Sequence, residues 1–155
     1  MKESDINTII VNSFGENDKY FSYKIPDPPK SVARIAVERP FDGFSVRNKP
    51  IYFETKLLKG YQAFNFGLIK DHQLRNLDVI KRTNSEVESI IILAVWESRK
   101  YLDIYIFDIL FILNRIKLGD KSVLKKELLS LEDKYSIKVK NKLFDAEEAL
   151  SKIIR

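Results

Sequence analysis

The longest unbroken apolar run, Ile90-Ile91-Ile92-Leu93-Ala94-Val95-Trp96, is rich in β-branched residues and far too short to span a bilayer. Such a run predicts a central strand covered on both faces. After the polar stretch 97–100, residues 101–107 alternate, with Leu102, Ile104 and Ile106 on one side and Asp103 and Tyr105 on the other, which predicts a half-buried partner strand. Upstream, residues 41–46 and 51–57 read as two strands joined by Arg47-Asn48-Lys49-Pro50, a connection short enough for an antiparallel hairpin. Residues 20–25 are aromatic and extended, and Pro26, Pro28 and Pro29 break regular structure before Val32.

Elsewhere the period is helical. Ile6, Ile9, Ile10 and Phe14 follow a possible Ser4 cap and precede Gly15, and Leu74, Leu77 and Ile80 follow a possible Asp71 cap. From Ile109 onward the pattern stays helical, with a break at Gly119-Asp120, a helix carrying Val123, Leu124, Leu128 and Leu131, and a last one carrying Phe144, Leu150 and Ile153. This order predicts an α/β fold: a central mixed five-stranded sheet flanked by helices, with extra C-terminal helices. At 155 residues the chain is expected to be one unit, a core over 1–110 followed by C-terminal helices over 111–155. The apolar stripes of those last helices would suit a partner subunit as well as the sheet.

Composition narrows the chemistry. There are no cysteines and a single histidine, His72, which removes thiolate zinc sites and imidazole clusters. Any metal must sit mainly on oxygen, which suits Mg2+ or Mn2+. No stretch approaches the roughly 18 consecutive apolar residues of a membrane span, and the start Met1-Lys2-Glu3-Ser4-Asp5 is unlike a secretory signal, so a cytoplasmic protein without a membrane partner is expected. The net charge of +5 suits a polyanion, although many basic proteins never touch nucleic acid.

In a strand over 51–57, Glu54 and Lys56 share a face with Tyr52, standing roughly 7 Å apart for a rise of about 3.3 Å per residue. The hairpin turn would bring Asp42, twelve positions before Glu54, across from it. Two acids and one amine would then converge, with room for a metal ion and its water. Phosphodiester hydrolysis needs a hard cation against the phosphate and a nucleophilic water at neutral pH. Asp42, Glu54 and the carbonyl of Thr55 could hold the cation, and Lys56 could orient or deprotonate the water or stabilise developing charge. The plainer reading is a solvated ion pair, since an acid two positions before a lysine is common. Glu132-Asp133-Lys134 repeats that spacing at the end of an amphipathic helix, and Pro26-Asp27 is an earlier proline–aspartate pair. Only around residues 42–56 do strand, hairpin and upstream aspartate occur together.

The segments Arg39-Pro40-Phe41-Asp42-Gly43-Phe44, Ile51-Tyr52-Phe53-Glu54-Thr55-Lys56, Phe64-Asn65-Phe66 and Asp71-His72-Gln73-Leu74 resemble RecU-type Holliday junction resolvases of the PD-(D/E)xK nuclease superfamily, over about 24–107. One departure is the aromatic residue inserted in Pro40-Phe41-Asp42. The resemblance implies a restriction-endonuclease-like fold and a metal-dependent DNA endonuclease cutting branched DNA, with homing, restriction-like or repair cleavage of duplex DNA as the alternative within the class. It makes Asp42 and Glu54 magnesium ligands, Lys56 the water-positioning base or charge stabiliser, and Gln73 a polar group near the site. Two symmetric cuts would require a homodimer. His72 inherits no role, and Glu3 and Asp5 fit ordinary helix-start chemistry better than a place in the site. Lys49, Lys59, Lys70, Arg75, Lys81 and Arg82, interleaved with Tyr61, Phe64 and Phe66, could grip a phosphate backbone and stack on bases, or be solvated charges over core rings. A reading from another class keeps that basic surface and makes Asp42, Glu54 and Lys56 a catalytically inactive ion-pair network.

Overall fold

The computed structural model describes residues 1–16, 20–26 and 39–155, so the proline break at 28–29, Val32 and Asp27 lie outside the described residues. In chain order the elements are α1 (Glu3–Gly15), β1 (Phe21–Lys24), β2 (Gly43–Val46), β3 (Pro50–Lys59), β4 (Phe64–Asn65), a 3-10 turn (Phe66–Leu68), α2 (Asp71–Thr83), β5 (Glu88–Glu97), β6 (Tyr101–Asp108), α3 (Ile109–Lys117), β7 (Ser122–Val123), α4 (Lys125–Tyr135), β8 (Ile137–Lys138) and α5 (Ala146–Ser151). The fold is α/β, with a mixed sheet flanked by helices, as the order of elements predicts. The main sheet runs β1-β2-β3-β5-β6-β8 and is antiparallel except where β3 and β5 lie parallel. A parallel pair requires a crossover, and the segment carrying α2 supplies it.

The apolar run is the centre, as its composition predicts. Its residues alternate between two cores: Ile90, Ile92 and Ala94 pack with α1, Ile51 and Phe53, while Ile91, Leu93 and Val95 pack with Leu77 of α2, Ile112 of α3 and Leu128 of α4. Ile6, Ile9, Ile10 and Phe14 all face inward from α1. Among the described residues no helix is long and apolar enough to cross a membrane.

Several details differ from expectation. Among the described residues the main sheet has six strands, because β8 adds an edge to β6 from a region whose pattern reads as helical; two residues are too few to show a period. Val123 sits in β7, which pairs with β4, rather than on a helix, and Phe144 and Ile153 flank α5 instead of lying in it. The partner strand β6 is covered on both faces: Asp103 and Tyr105 are buried, and the Tyr105 hydroxyl donates to the Leu128 carbonyl of α4 at 3.3 Å. Of the C-terminal helices' apolar residues, Leu128 packs in one core and Ala146 and Ala149 in the other, whereas Leu110, Ile116 and Leu129 stay exposed. The chain end returns to β6 as well, with Ile154 donating to the Ile106 carbonyl at 2.8 Å.

Both helix caps also shift. Asp5 accepts from the Lys2 amide at 2.7 Å, so α1 begins before Ser4, and Gln73 accepts from the Lys70 amide at 3.0 Å, which makes Asp71 the first helical residue rather than the cap. Asp5 is exposed on the helix that packs against the opposite face of the sheet from Glu54, so its acid serves the helix start.

Candidate active site on the β2–β3 hairpin

A turn over 47–49 fixes the β2–β3 register at Gly43 opposite Phe53 and Val46 opposite Pro50. One step further, Asp42 falls across from Glu54. Its amide donates to the Phe53 carbonyl at 3.0 Å and its carbonyl accepts from Ile25 at 2.9 Å, so its backbone is held from both neighbouring strands. Gly43 is required for that fit: a Cβ there would stand 2.5 Å from the Phe53 ring and 2.7 Å from the Tyr23 carbonyl oxygen, both closer than van der Waals contact permits.

The Asp42 carboxylate is buried. Oδ2 accepts from the Thr55 amide at 2.8 Å, and Oδ1 pairs with the Arg39 guanidinium, which also donates to the Ile25 carbonyl at 3.2 Å. Thr55 lies past the last β2–β3 pair, and in an extended strand its carbonyl turns to the same side as its amide, toward Asp42. Glu54 is 1 % exposed. Its Oε1 accepts from Lys56 Nζ at 2.8 Å and from Gln73 Nε2 at 2.5 Å. Gln73 is oriented by the helix it begins: with its Oε1 taken by the Lys70 amide, the amide nitrogen is left to face Glu54. Glu54 Oε2 is buried and, among the described residues, has no hydrogen-bond partner.

Burial pushes the Glu54 carboxyl up to about 7, and the Asp42 charge adds to the rise against the opposing pull of Lys56 and Arg39. Near neutral pH this acid is therefore balanced between its two forms. The open gap expected between Glu54 and Lys56 is absent, because the two side chains bond directly.

The residues predicted from the sequence do not all meet at one place. Asp42, Glu54, Thr55, Lys56 and Gln73 converge. Lys59, Lys70 and Arg75 are exposed, and Asn76, beside Arg75 on α2, donates to the Pro40 carbonyl at 3.4 Å, so this helix borders the loop that leads into Asp42. Lys49 sits in the hairpin turn at the opposite end of β3 from Lys59, and Arg82 is exposed but paired with Asp78 at 2.8 Å. Lys81 departs from the phosphate-gripping expectation: it is held 3.7 Å from Glu88 and from Asp108 and donates to the Val87 carbonyl at 2.9 Å, in a network that Arg155 completes. Phe64 and Phe66 are core residues, and the Tyr61 hydroxyl bonds to Asp103 and Tyr105, each at 2.8 Å, so none of the three forms an open stacking surface. Glu132 of the repeated spacing pairs with Lys138 at 2.9 Å, away from this centre. Arg39 was not singled out by sequence; its place three residues before Asp42 was the available signal.

An oxygen-only centre suits a magnesium- or manganese-like ion, which is held through one or two carboxylates and keeps several waters. Among the described residues no group of three or more His, Asp or Glu side chains comes together. Glu54 Oε2, without a hydrogen-bond partner among the described residues, could hold such an ion together with the facing Asp42 and the Thr55 carbonyl. No protein-family profile matches the sequence, and no curated protein matches it. Among solved structures the chain is similar to Archaeoglobus fulgidus Hjc, a Holliday junction resolvase from an archaeal hyperthermophile, with 8% identity, a TM-score of 0.43, and coverage of 69% of this chain and 77% of that one.

Proposed function

We propose that this chain is a divalent-metal-dependent endonuclease that hydrolyses phosphodiester bonds in DNA, acting as one nuclease unit over 1–155. One observation carries the reading. A deeply buried carboxylate keeps an oxygen without a partner among the described residues, across the strand pair from a second buried carboxylate whose charge acts on it, an arrangement that costs stability and that a cation would relieve. Asp42, Glu54 and the Thr55 carbonyl would hold that ion, which supplies charge neutralisation at the phosphate and a more acidic water. Lys56, whose amine reaches Glu54 Oε1 at 2.8 Å, would orient the attacking water or stabilise the charge on the pentacovalent phosphorus oxygens. Gln73 is a positioning residue that fixes the Glu54 rotamer from the start of α2. Branched DNA is the substrate that the motif resemblance favours, and a homodimer is the assembly two symmetric cuts would need.

A second reading draws on the closed Lys56–Glu54 pair at 2.8 Å and the Arg39–Asp42 pair. Each acid already has a cation, which is what a catalytically inactive nucleic-acid-binding module would show. Cleavage separates the two. Purified protein is incubated with labelled four-way junction, linear duplex and single strand, with Mg2+ and with chelator, beside Glu54→Gln and Lys56→Ala. Magnesium-dependent cutting lost in both variants supports the nuclease; magnesium-independent binding with every substrate intact supports the inactive module.

A further inference from the structure

The face of the sheet that bears Glu54 is covered by α2 at β3 and β5, whereas α1 packs on β1 and β2 from the other side. On the Glu54 side, β1 and β2 carry a row of aromatic rings. Tyr23, Phe44 and Tyr52 are register partners across three strands, with ring centroids 5.9 Å apart for the first pair and 6.3 Å for the second, each pair tilted by 41°. Phe21 adds a ring 6.4 Å from Phe44, and Phe41 closes the row against Tyr52 at 5.1 Å. Phe21 is 64% exposed and Tyr23 48% exposed, although both are large aromatic residues on an edge strand. The row ends at the candidate site, because Tyr52 stands two residues before Glu54 on the same face.

We propose that this aromatic face seats unpaired bases of a DNA strand whose backbone leads into the Asp42–Glu54 centre. The proposal rests on the nuclease reading and names the part of the substrate that reading leaves open. Rings displayed side by side on a sheet take one base each, because every base has a π-face. Bases inside a duplex are already stacked on one another and have no face to offer, so the row selects strands that are open, frayed or at a branch. Charge favours a polyanion over a second copy of this basic chain: the net charge is +5, and Lys70 just before α2 and Arg75 on it are exposed beside the site.

The test is fluorescence anisotropy in chelator, so that nothing is cut, using labelled oligo(dT) and a blunt duplex of equal length. Wild type is expected to bind the single strand more tightly than the duplex. The Phe21→Ala/Tyr23→Ala double variant should bind the single strand about tenfold or more weakly, with duplex binding little changed. Tyr23→Phe, which keeps the ring, should match wild type, and unchanged thermal melting of all three shows that the fold is intact. Single-strand affinity unaffected by loss of both rings overturns the proposal. So does a wild-type dimer in sedimentation that the double variant converts to monomer, since a second copy would then occupy the face. Ring-dependent binding by a protein that cuts no substrate with Mg2+ would sink the nuclease reading alone, and cutting with ring-independent binding would sink this one alone.

Discussion

Helix α2 touches two charge networks, one near each end, and they are built from the same parts. Near its start, Gln73 reaches the pair of acids Asp42 and Glu54, which face the cations Arg39 and Lys56. At its end, Lys81 reaches the pair Glu88 and Asp108, which Arg155 also serves. In the second network every carboxylate oxygen has an assigned partner: Asp108 Oδ1 caps α3 through the Leu110 amide, Oδ2 takes Arg155, and both Glu88 oxygens take the same guanidinium. The first differs in two respects. Both acids are buried, and Glu54 Oε2 is left without a partner among the described residues. A network whose acceptors all have partners leaves no orphaned group in the fold, whereas one that keeps a buried oxygen open retains an unfavourable term that a ligand can relieve. Equal numbers of acids and bases therefore do not imply equal roles.

The largest expected effect separates the two networks by activity. Asp42→Asn and Glu54→Gln should each lower the initial rate of Mg2+-dependent cleavage by about a hundredfold or more, the scale of losing a group that stabilises transition-state charge, while Glu88→Gln stays within a few-fold of wild type. Equal losses in both networks would break the contrast.

Stability should move in the opposite sense. Glu54 has a folded-state value near 7 against 4.5 as its ordinary value, so its protonation favours folding. That contribution is fully present below pH 4.5 and is lost as pH rises through 7, a change of about 3 kcal/mol over the interval. Denaturant melts of metal-free protein should therefore show wild type losing stability from pH 5 to pH 8 relative to Glu54→Gln, with Mg2+ restoring part of the difference at pH 8. In the closed network, Lys81→Met should cost about 1–3 kcal/mol by leaving Asp108 and Glu88 with Arg155 alone, and cleavage should be unchanged.

The smallest effect belongs to Gln73→Ala, with a rate loss of about tenfold, the lower end of what a positioning contact is worth. Because a donor to the charged carboxylate favours that form, its removal should also move the acid limb of the pH–rate profile upward. A purely structural helix-cap role would lower the melting temperature and leave that limb in place.

The hairpin was legible in the sequence because two strand-like runs flank a short polar connection, but its register was not: the connection read as Arg47 to Pro50, whereas Pro50 belongs to β3 and the remaining turn over 47–49 sets Asp42 across from Glu54. The two-sided burial of β5 was legible from composition alone. What was hidden depended on partners distant along the chain. Lys81 on an amphipathic helix looks solvated, but its acids come from two strands and its companion cation is the final residue, Arg155. Gln73 could be placed near the site by resemblance, yet its orientation follows from a cap that uses its oxygen. Aromatic residues were visible throughout; which ones are open was not, because Phe64 and Phe66 are buried in the core with Leu77 and Val123, whereas Phe21 and Tyr23 touch Phe44 and stay largely exposed. β8 is two residues long and left no pattern to read.

The central claim is that Asp42 and Glu54 share one divalent cation, and calorimetric titration with Mn2+ tests it without recourse to any DNA substrate. The predicted result is a single site in wild type and in Lys81→Met that disappears in both Asp42→Asn and Glu54→Gln. Undiminished Mn2+ binding in those two variants, or none in wild type, would contradict it.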